Sequence, residues 1–357
     1  MAKAITHIIT TIENGGAENQ LLILAKQQKY QGFNVNVIYL KGKPDLKENF
    51  EKYGISVNTS YANRNLLTQI LKLKSVFAGK RGIIHAHLPR AELVAALIKK
   101  TNILIVSKHN SERFFPAAPF IISRLLANFV FVNADHCICI SKSVLDYLKD
   151  IKEIWGDAKI SIVYYGIDNI HQISFNVSNS KNVRVIGTIG RLVEQKNYPV
   201  LLKAFMGLHL NNPHLKLSII GDGKLEKKLK SLANDLGISD AIEWIGRTNL
   251  IDEEFNKMDV FVLPSIYEGF GLVLLEAMQH RVPIIASNVS AIPEVLGEQY
   301  MGLFESNSDA ALLDMLKKAM DPSFRDLLVS EYPERLIYFD SVKMETQISL
   351  IYSQILD

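Results

Sequence analysis

The chain has 357 residues, 48% of them hydrophobic and 22% charged, a balance that excludes a disordered or low-complexity protein. At roughly 150 residues per domain, the length points to two domains. The net charge of +3 gives no sign of a nucleic-acid partner, but it hides an asymmetry: residues 1–165 carry 22 Lys and Arg against 12 Asp and Glu, and residues 166–357 carry 18 against 25.

Short apolar runs alternate with longer helical patterns almost from end to end. Strands are predicted at 5–12, 35–40, 82–86, 103–107 and 136–140, then at 183–189, 215–220, 241–245, 260–264 and 283–286. Near-continuous apolar strands joined by helices indicate parallel sheets covered on both faces, so the pattern predicts two doubly wound α/β domains. The polar, aperiodic stretch 168–182, centred on His171–Ser180, reads as a linker. Cys137 and Cys139 share one strand, where adjacent thiols rarely reach disulfide geometry, and they read as small core residues of a reducing compartment. The polar start of the chain and the lack of a long apolar run predict a cytoplasmic protein.

In doubly wound sheets, ligands bind beyond the carboxyl ends of the strands. After the first strand, Gly15 and Gly16 precede a helix; they read either as a tight turn or as a backbone that approaches a phosphate closely. In the second half, Arg191 and Lys196 lie five apart after a strand, either a solvated pair or two cations that neutralise a diphosphate. The run Pro264–Met278 places Glu268 in a loop spaced by Gly269, Phe270 and Gly271, with Leu272 opening a helix that carries Glu276. A carboxylate among apolar neighbours needs donors, and sugar hydroxyls are suitable ones. His85, His87 and His109 end strands in the first half, as structural residues or as catalytic ones. No serine-hydrolase elbow, zinc-protease pair, Walker loop or Asp-x-Asp metal pair occurs.

These residues resemble glycosyltransferase family 4, whose fold is GT-B. The likeness runs from Gly15-Gly16-Ala17-Glu18 through His85-Ala86-His87, Lys108-His109-Asn110, Gly190-Arg191-Leu192, Lys196-Asn197 and Gly221-Asp222-Gly223 to Glu268-Gly269-Phe270-Gly271, Glu276 and Ile292-Pro293-Glu294. The resemblance implies two Rossmann-like domains facing a central cleft: an acceptor-binding one at 1–167, a nucleotide-sugar-binding one at 168–338, and a terminal helix at 339–357 packing back on the first. It implies retaining transfer from a nucleoside diphosphate sugar, UDP-linked by preference, without a metal ion or other cofactor. By the same resemblance Arg191 and Lys196 hold the diphosphate, Glu276 the ribose, and Glu268 the donor sugar beside the Gly269–Gly271 backbone; Gly16 lets the first loop approach the phosphates, and His109 sits near the reacting sugar. Three positions depart from the family pattern: Tyr165 stands in the usual Asn-Gly step, His280-Arg281 replaces a Gly before Val-Pro, and Ser290-Ala291 replaces paired glycines.

The basic first half suggests the acceptor. A predicted helix at 64–81 sets Leu66, Ile70, Leu73 and Phe77 on one face and carries Arg64, Lys72, Lys74, Lys80 and Arg81. With Phe114–Phe120 as aromatic anchors, it reads either as an ordinary packed helix or as a binder of anionic membrane surfaces. The charge imbalance favours a peripheral membrane enzyme with a lipid-linked or lipopolysaccharide-type glycan acceptor. A soluble acceptor, or an inactive sugar-nucleotide-binding subunit, is the alternative.

Overall fold

The computed structural model describes residues 4–79, 81–168 and 182–356, so the expected linker lies, from 169 to 181, outside the described residues. The chain divides into two compact units, residues 1–168 with 339–357, and residues 169–338.

The first unit runs β1 (Ala4–Ile9), α1 (Gly16–Tyr30), β2 (Asn34–Tyr39), α2 (Lys47–Lys52), β3 (Ser56–Asn58), α3 (Leu66–Val76), β4 (Ile83–His87), α4 (Pro89–Ile98), β5 (Ile103–Lys108), α5 (Phe120–Asn133), β6 (His136–Cys139), α6 (Lys142–Asp150) and β7 (Ile160–Ile162). Its seven strands form one parallel sheet in the order β3-β2-β1-β4-β5-β6-β7, so the winding reverses between β1 and β4. The inner strands are buried on both faces, which is why they are apolar without alternation: Ile5, Ile8, Ile84, Leu104, Ile105 and Val106 are all fully buried. Cys137 and Cys139 are buried free thiols.

The second unit runs β8 (Val185–Ile189), α7 (Tyr198–His209), β9 (Lys216–Ile220), α8 (Glu226–Asp235), β10 (Ile242–Gly246), α9 (Ile251–Phe255), β11 (Val260–Leu263), α10 (Leu272–Gln279), β12 (Ile284–Ser287), α11 (Ile292–Leu296), β13 (Leu303–Phe304), α12 (Asp309–Ala319), α13 (Pro322–Ser330) and α14 (Tyr332–Tyr338). Its parallel sheet is ordered β10-β9-β8-β11-β12-β13 and reverses between β8 and β11. Ile186, Leu217 and Ile219 from the strands meet Leu201, Phe205 and Leu312 from α7 and α12 in its core. Helix starts are fixed locally. Ser308 accepts from Ala311 N to cap α12, and Asp321 accepts from Ser323 N ahead of Pro322.

The last helix, α15 (Ser341–Leu356), packs on the first unit, burying Met344, Ile348, Ile351 and Tyr352 against Ile5, Leu24, Ile83, Ile105 and Val163. Asp168 belongs with this unit too, held by Lys26 Nζ at 2.8 Å and by Ser341 Oγ at 2.6 Å. No helix among the described residues is long and apolar enough to cross a membrane.

All ten expected strands are present, with ends shifted by up to three residues. Three short edge strands, β3, β7 and β13, were not expected. The predicted helix at 64–81 is shorter: Asn65 caps α3, which ends at Val76 before Gly79, so Arg64 and Arg81 lie outside it. Of the suggested aromatic anchors, Phe114 is buried and Phe120 exposed. The broad apolar surface is on α5 instead, where Ile121, Ile122, Leu125, Phe129 and Val132 are exposed at spacings that share one side of a helix.

Candidate functional site

In the second unit the expected residues collect where the strand order reverses. Arg191 and Lys196 follow β8, and Glu268 follows β11, its neighbour in the sheet. Reciprocal bonds lock the two loops in register: Ile266 N donates to Gln195 O at 2.8 Å, and Gln195 Nε2 donates to Tyr267 O at 2.9 Å. That register brings Lys196 Nζ to 2.7 Å from Glu268 Oε1, which also accepts from Ser265 Oγ at 2.6 Å. Ser265 is held in turn by Ser287 Oγ, which donates to its carbonyl at 2.5 Å. Glu268 is only 6% exposed, so its charge depends on these partners. Its Oε2 has no protein hydrogen bond among the described residues.

Arg191 is exposed and has no partner among the described residues. Its backbone, by contrast, is tightly fixed. Tyr198 OH donates to Gly190 O at 2.8 Å, and Leu192 N donates to Asp222 O at 2.7 Å. Gly221, at φ 131°, lies so close to this turn that a Cβ there would sit 2.1 Å from Gly190 O. The Gly221-Asp222-Gly223 turn therefore sets where Arg191 leaves the sheet.

Glu276 sits on α10, and its carboxylate makes no hydrogen bond or ion pair with any described residue. Burial pushes the carboxyl up to about 7; Asp252 raises it further and Lys196 lowers it. A half-buried carboxylate in this state lacks donors that a ligand can provide. Gly271, in the left-handed region at φ 89°, turns the chain into α10 with no side-chain cap, so the amides at Leu272 and Val273 open the helix uncapped. Phe270 is buried, while Gly269 keeps its place in the loop between Glu268 and the helix.

His109, Gly15 and Gly16 belong to the first unit. Gly15 caps α1, and a Cβ on it would meet Glu18 Oε2 at 2.5 Å, so the Glu18 carboxylate occupies the space over this helix start. His109 closes a buried wire. Its Nδ1 lies 2.5 Å from Tyr165 OH and its Nε2 3.0 Å from His87 Nδ1; His87 Nε2 lies 3.0 Å from His7 Nδ1, and His7 Nε2 2.8 Å from Gln28 Oε1. The amide oxygen of Gln28 can only accept, which makes His7 the donor there and fixes every tautomer along the chain. The run is Tyr165 to His109 to His87 to His7 to Gln28, with each imidazole carrying its proton on Nε2. Gln28 Nε2 then donates to Tyr352 OH, which donates to His85 Nδ1 at 2.6 Å, and His85 Nε2 donates to Ser107 Oγ at 2.7 Å.

Burial pushes the His7 ring down to about 4 and His109 to about 3, and holds His85 and His87 well below the usual range. His7, His85 and His87 lie close enough together to hold a metal ion, yet every ring nitrogen among them already has a protein partner. Both ring nitrogens of His109 are likewise engaged inside the unit. Sequence reasoning missed Ser265, Gln195 and Tyr198 in the second unit, and His7, Gln28 and Tyr352 in the first. Tyr165 alone had a signal, as a departure from the family pattern.

A family model described as Glycosyl transferases group 1 matches residues 169–338, and one described as Glycosyltransferase Family 4 matches residues 14–169. An uncharacterized glycosyltransferase of Methanocaldococcus jannaschii is 29% identical over 209 residues, 54% of this chain and 53% of that protein. The chain spans about half the length of most curated relatives it matches. A Campylobacter jejuni alpha-1,4-N-acetyl-D-galactosaminyltransferase, named for a GalNAc-containing PP-undecaprenol glycan, is 25% identical over 356 residues, 94% of each chain. Among solved structures, Anabaena HepE in complex with UDP and glucose superposes with a TM-score of 0.84 at 20% identity, covering 99% of this chain and 100% of that one.

Proposed function

Because the chain belongs to glycosyltransferase family 4, of GT-B fold, we propose that it transfers a sugar from a nucleoside diphosphate sugar, UDP-linked by preference, to a lipid-linked or lipopolysaccharide-type glycan, with retention at the anomeric carbon. One observation carries the reading: the unpartnered Glu276 carboxylate lies in the same unit as the Lys196–Glu268 pair and the uncompensated Arg191, at the reversal point of the sheet. A nucleoside diphosphate sugar supplies what each group lacks. Ribose hydroxyls donate to Glu276, a sugar hydroxyl donates to Glu268 Oε2, and the diphosphate takes the charge of Arg191 and the spare donors of Lys196.

Lys196 is paired with Glu268, so Arg191 supplies the net positive charge. As the bond between the anomeric carbon and the phosphate oxygen breaks, its electron pair goes to that oxygen. Arg191, Lys196 and the uncapped start of α10 stabilise the growing charge. The acceptor hydroxyl attacks from the same face and passes its proton to the departing phosphate oxygen.

The UDP bound to HepE supports the nucleotide, and the PP-undecaprenol glycan named for the Campylobacter relative supports the acceptor class. The exposed apolar side of α5, on the basic half of the chain, supports peripheral attachment to an anionic membrane. Thermal-shift titration with UDP, GDP, ADP and their sugars tests the donor. UDP and a UDP-sugar should give the largest shifts, and no shift with any of them would overturn the reading. Co-sedimentation with anionic vesicles at low salt tests the membrane, and no binding there would remove that part.

A further inference from the structure

Glu276 has a neighbour that the donor reading does not use. His280, half of the His280-Arg281 departure from the family pattern, follows Glu276 by four residues, so the two share one side of α10. His280 N donates to Glu276 O at 3.2 Å. The ring makes three contacts with α9 and the residue after it. Nε2 lies 3.0 Å from Asp252 Oδ1, and Nδ1 lies 3.0 Å from Asn256 Oδ1. The ring also stacks on buried Phe255, 5.2 Å between centres and 13° between planes.

Both of those oxygens only accept, so a ring that keeps both bonds carries two protons and a positive charge. A cation suits the place, since His280 caps the C-terminal end of α10, where the helix dipole is negative. The charge lies against Asp252, the carboxylate that also acts on Glu276. Asp252 therefore faces two groups of α10: it attracts the His280 ring and opposes ionisation of Glu276.

The other charges nearby are accounted for. Lys196 favours the ionised Glu276. Glu253 and Glu254 follow Asp252, and Glu254 pairs with Lys257 at 2.7 Å; Arg281 follows His280. The helices α11 and α14, which also pack on α10, carry Glu294, Glu334 and Arg335, and Arg335 donates to the Val295 and Glu294 carbonyls. We propose that His280 is a positioning residue of the donor site: its ring pins α9 against α10 and balances the Asp252 carboxylate, so that Glu276 can carry its own charge. Its bearing on donor binding rests on the transferase reading; the link between His280 and Glu276 does not.

The test is ¹³C NMR titration of the Glu276 carboxyl in the unliganded full chain, its signal identified by loss in Glu276→Gln, with calorimetric UDP titration in parallel. His280→Phe keeps the stacking on Phe255 and removes both donors. It should move the Glu276 midpoint up by about 0.5 pH unit and weaken UDP binding at pH 7 about twofold. Asp252→Asn, at an exposed position, should move the midpoint down, and in the double variant the upward shift should vanish. Because Asp252 is exposed, both shifts should shrink at about 1 M salt, as a change in packing would not. A midpoint that neither variant moves, an upward shift that survives in the double variant, or shifts indifferent to salt would overturn the proposal. The expected shifts without any UDP binding would support the link and sink the transferase reading.

Discussion

The two units share one architecture and treat the polar groups at their sheet reversals in opposite ways. In the first, four histidines, two tyrosines, a glutamine and a serine satisfy one another in a single directed chain of hydrogen bonds. In the second, among the described residues, Glu276 has no partner, Glu268 keeps one oxygen open, and Arg191 is exposed with no counter-charge. A closed network rigidifies a scaffold, whereas desolvated groups left open store free energy that a ligand releases. Burial alone therefore does not locate the site. His7 is more buried than Glu276, yet it lacks nothing.

Substitutions should separate the two designs, and the largest effect is expected at Lys196. Lys196→Met leaves the Glu268 charge buried with only Ser265, which should cost about 3–5 kcal/mol of stability and lower transfer by about 10²–10³-fold. Adding Glu268→Gln should restore most of the stability, read by denaturant titration, but not the turnover.

Acid should act on the first unit. Its histidines have folded values pushed below the unfolded value of 6.5, so their contribution is complete above that pH and is lost as pH falls toward 4. Each should steepen the fall by up to about 1.4 kcal/mol per pH unit, seen as denaturation midpoints recorded from pH 7 to 4. A flat profile there would mean that the wire is not neutral and closed.

Tyr165→Phe removes the donor at one end of the wire and leaves His109 Nδ1 unmet, a cost of about 1–3 kcal/mol. The ¹⁵N shifts of His109 should still report the single Nε2-protonated tautomer, because Gln28 fixes it from the other end of the wire. The smallest change is Ser290→Gly. Ser290 is exposed at φ 51°, and relieving that left-handed conformation should stabilise the second unit by no more than about 1 kcal/mol.

The sequence carried most of the fold because both sheets are parallel and buried on two faces, which writes the inner strands as unbroken apolar runs. The strands it did not reveal, β3, β7 and β13, are two or three residues long and sit at sheet edges, where neither length nor burial leaves a pattern. The second-unit site was legible because its charged residues lie within short stretches at strand ends. Ser265, in the same stretch, was not, since a serine acquires its role only when the fold sets it against Glu268.

The histidine wire is built from residues as far apart as His7 and Tyr352, a distance in sequence that no spacing rule spans. All three departures from the family pattern now have physical readings: Tyr165 anchors the wire, and Arg281 and Ser290 adopt at φ 56° and 51° a conformation that glycine takes freely. The basic helix was over-read, because Arg64, and Arg81 beyond Gly79, fall outside α3, while the apolar side of α5 escaped notice among residues that suit a core equally well.

The open design of the second unit is tested most directly by calorimetric titration of UDP into the wild type and Glu276→Gln at pH 6 and pH 8. Burial holds the Glu276 carboxyl near 7, so it is largely protonated at pH 6 and ionised at pH 8. The wild type should therefore gain affinity between the two pH values by more than the variant, whose remaining change is that of the UDP phosphate itself. The unliganded variant should also be the more stable of the two at pH 8, with the advantage gone by about pH 4.5. Equal UDP affinity and equal pH dependence in the two proteins would contradict the account.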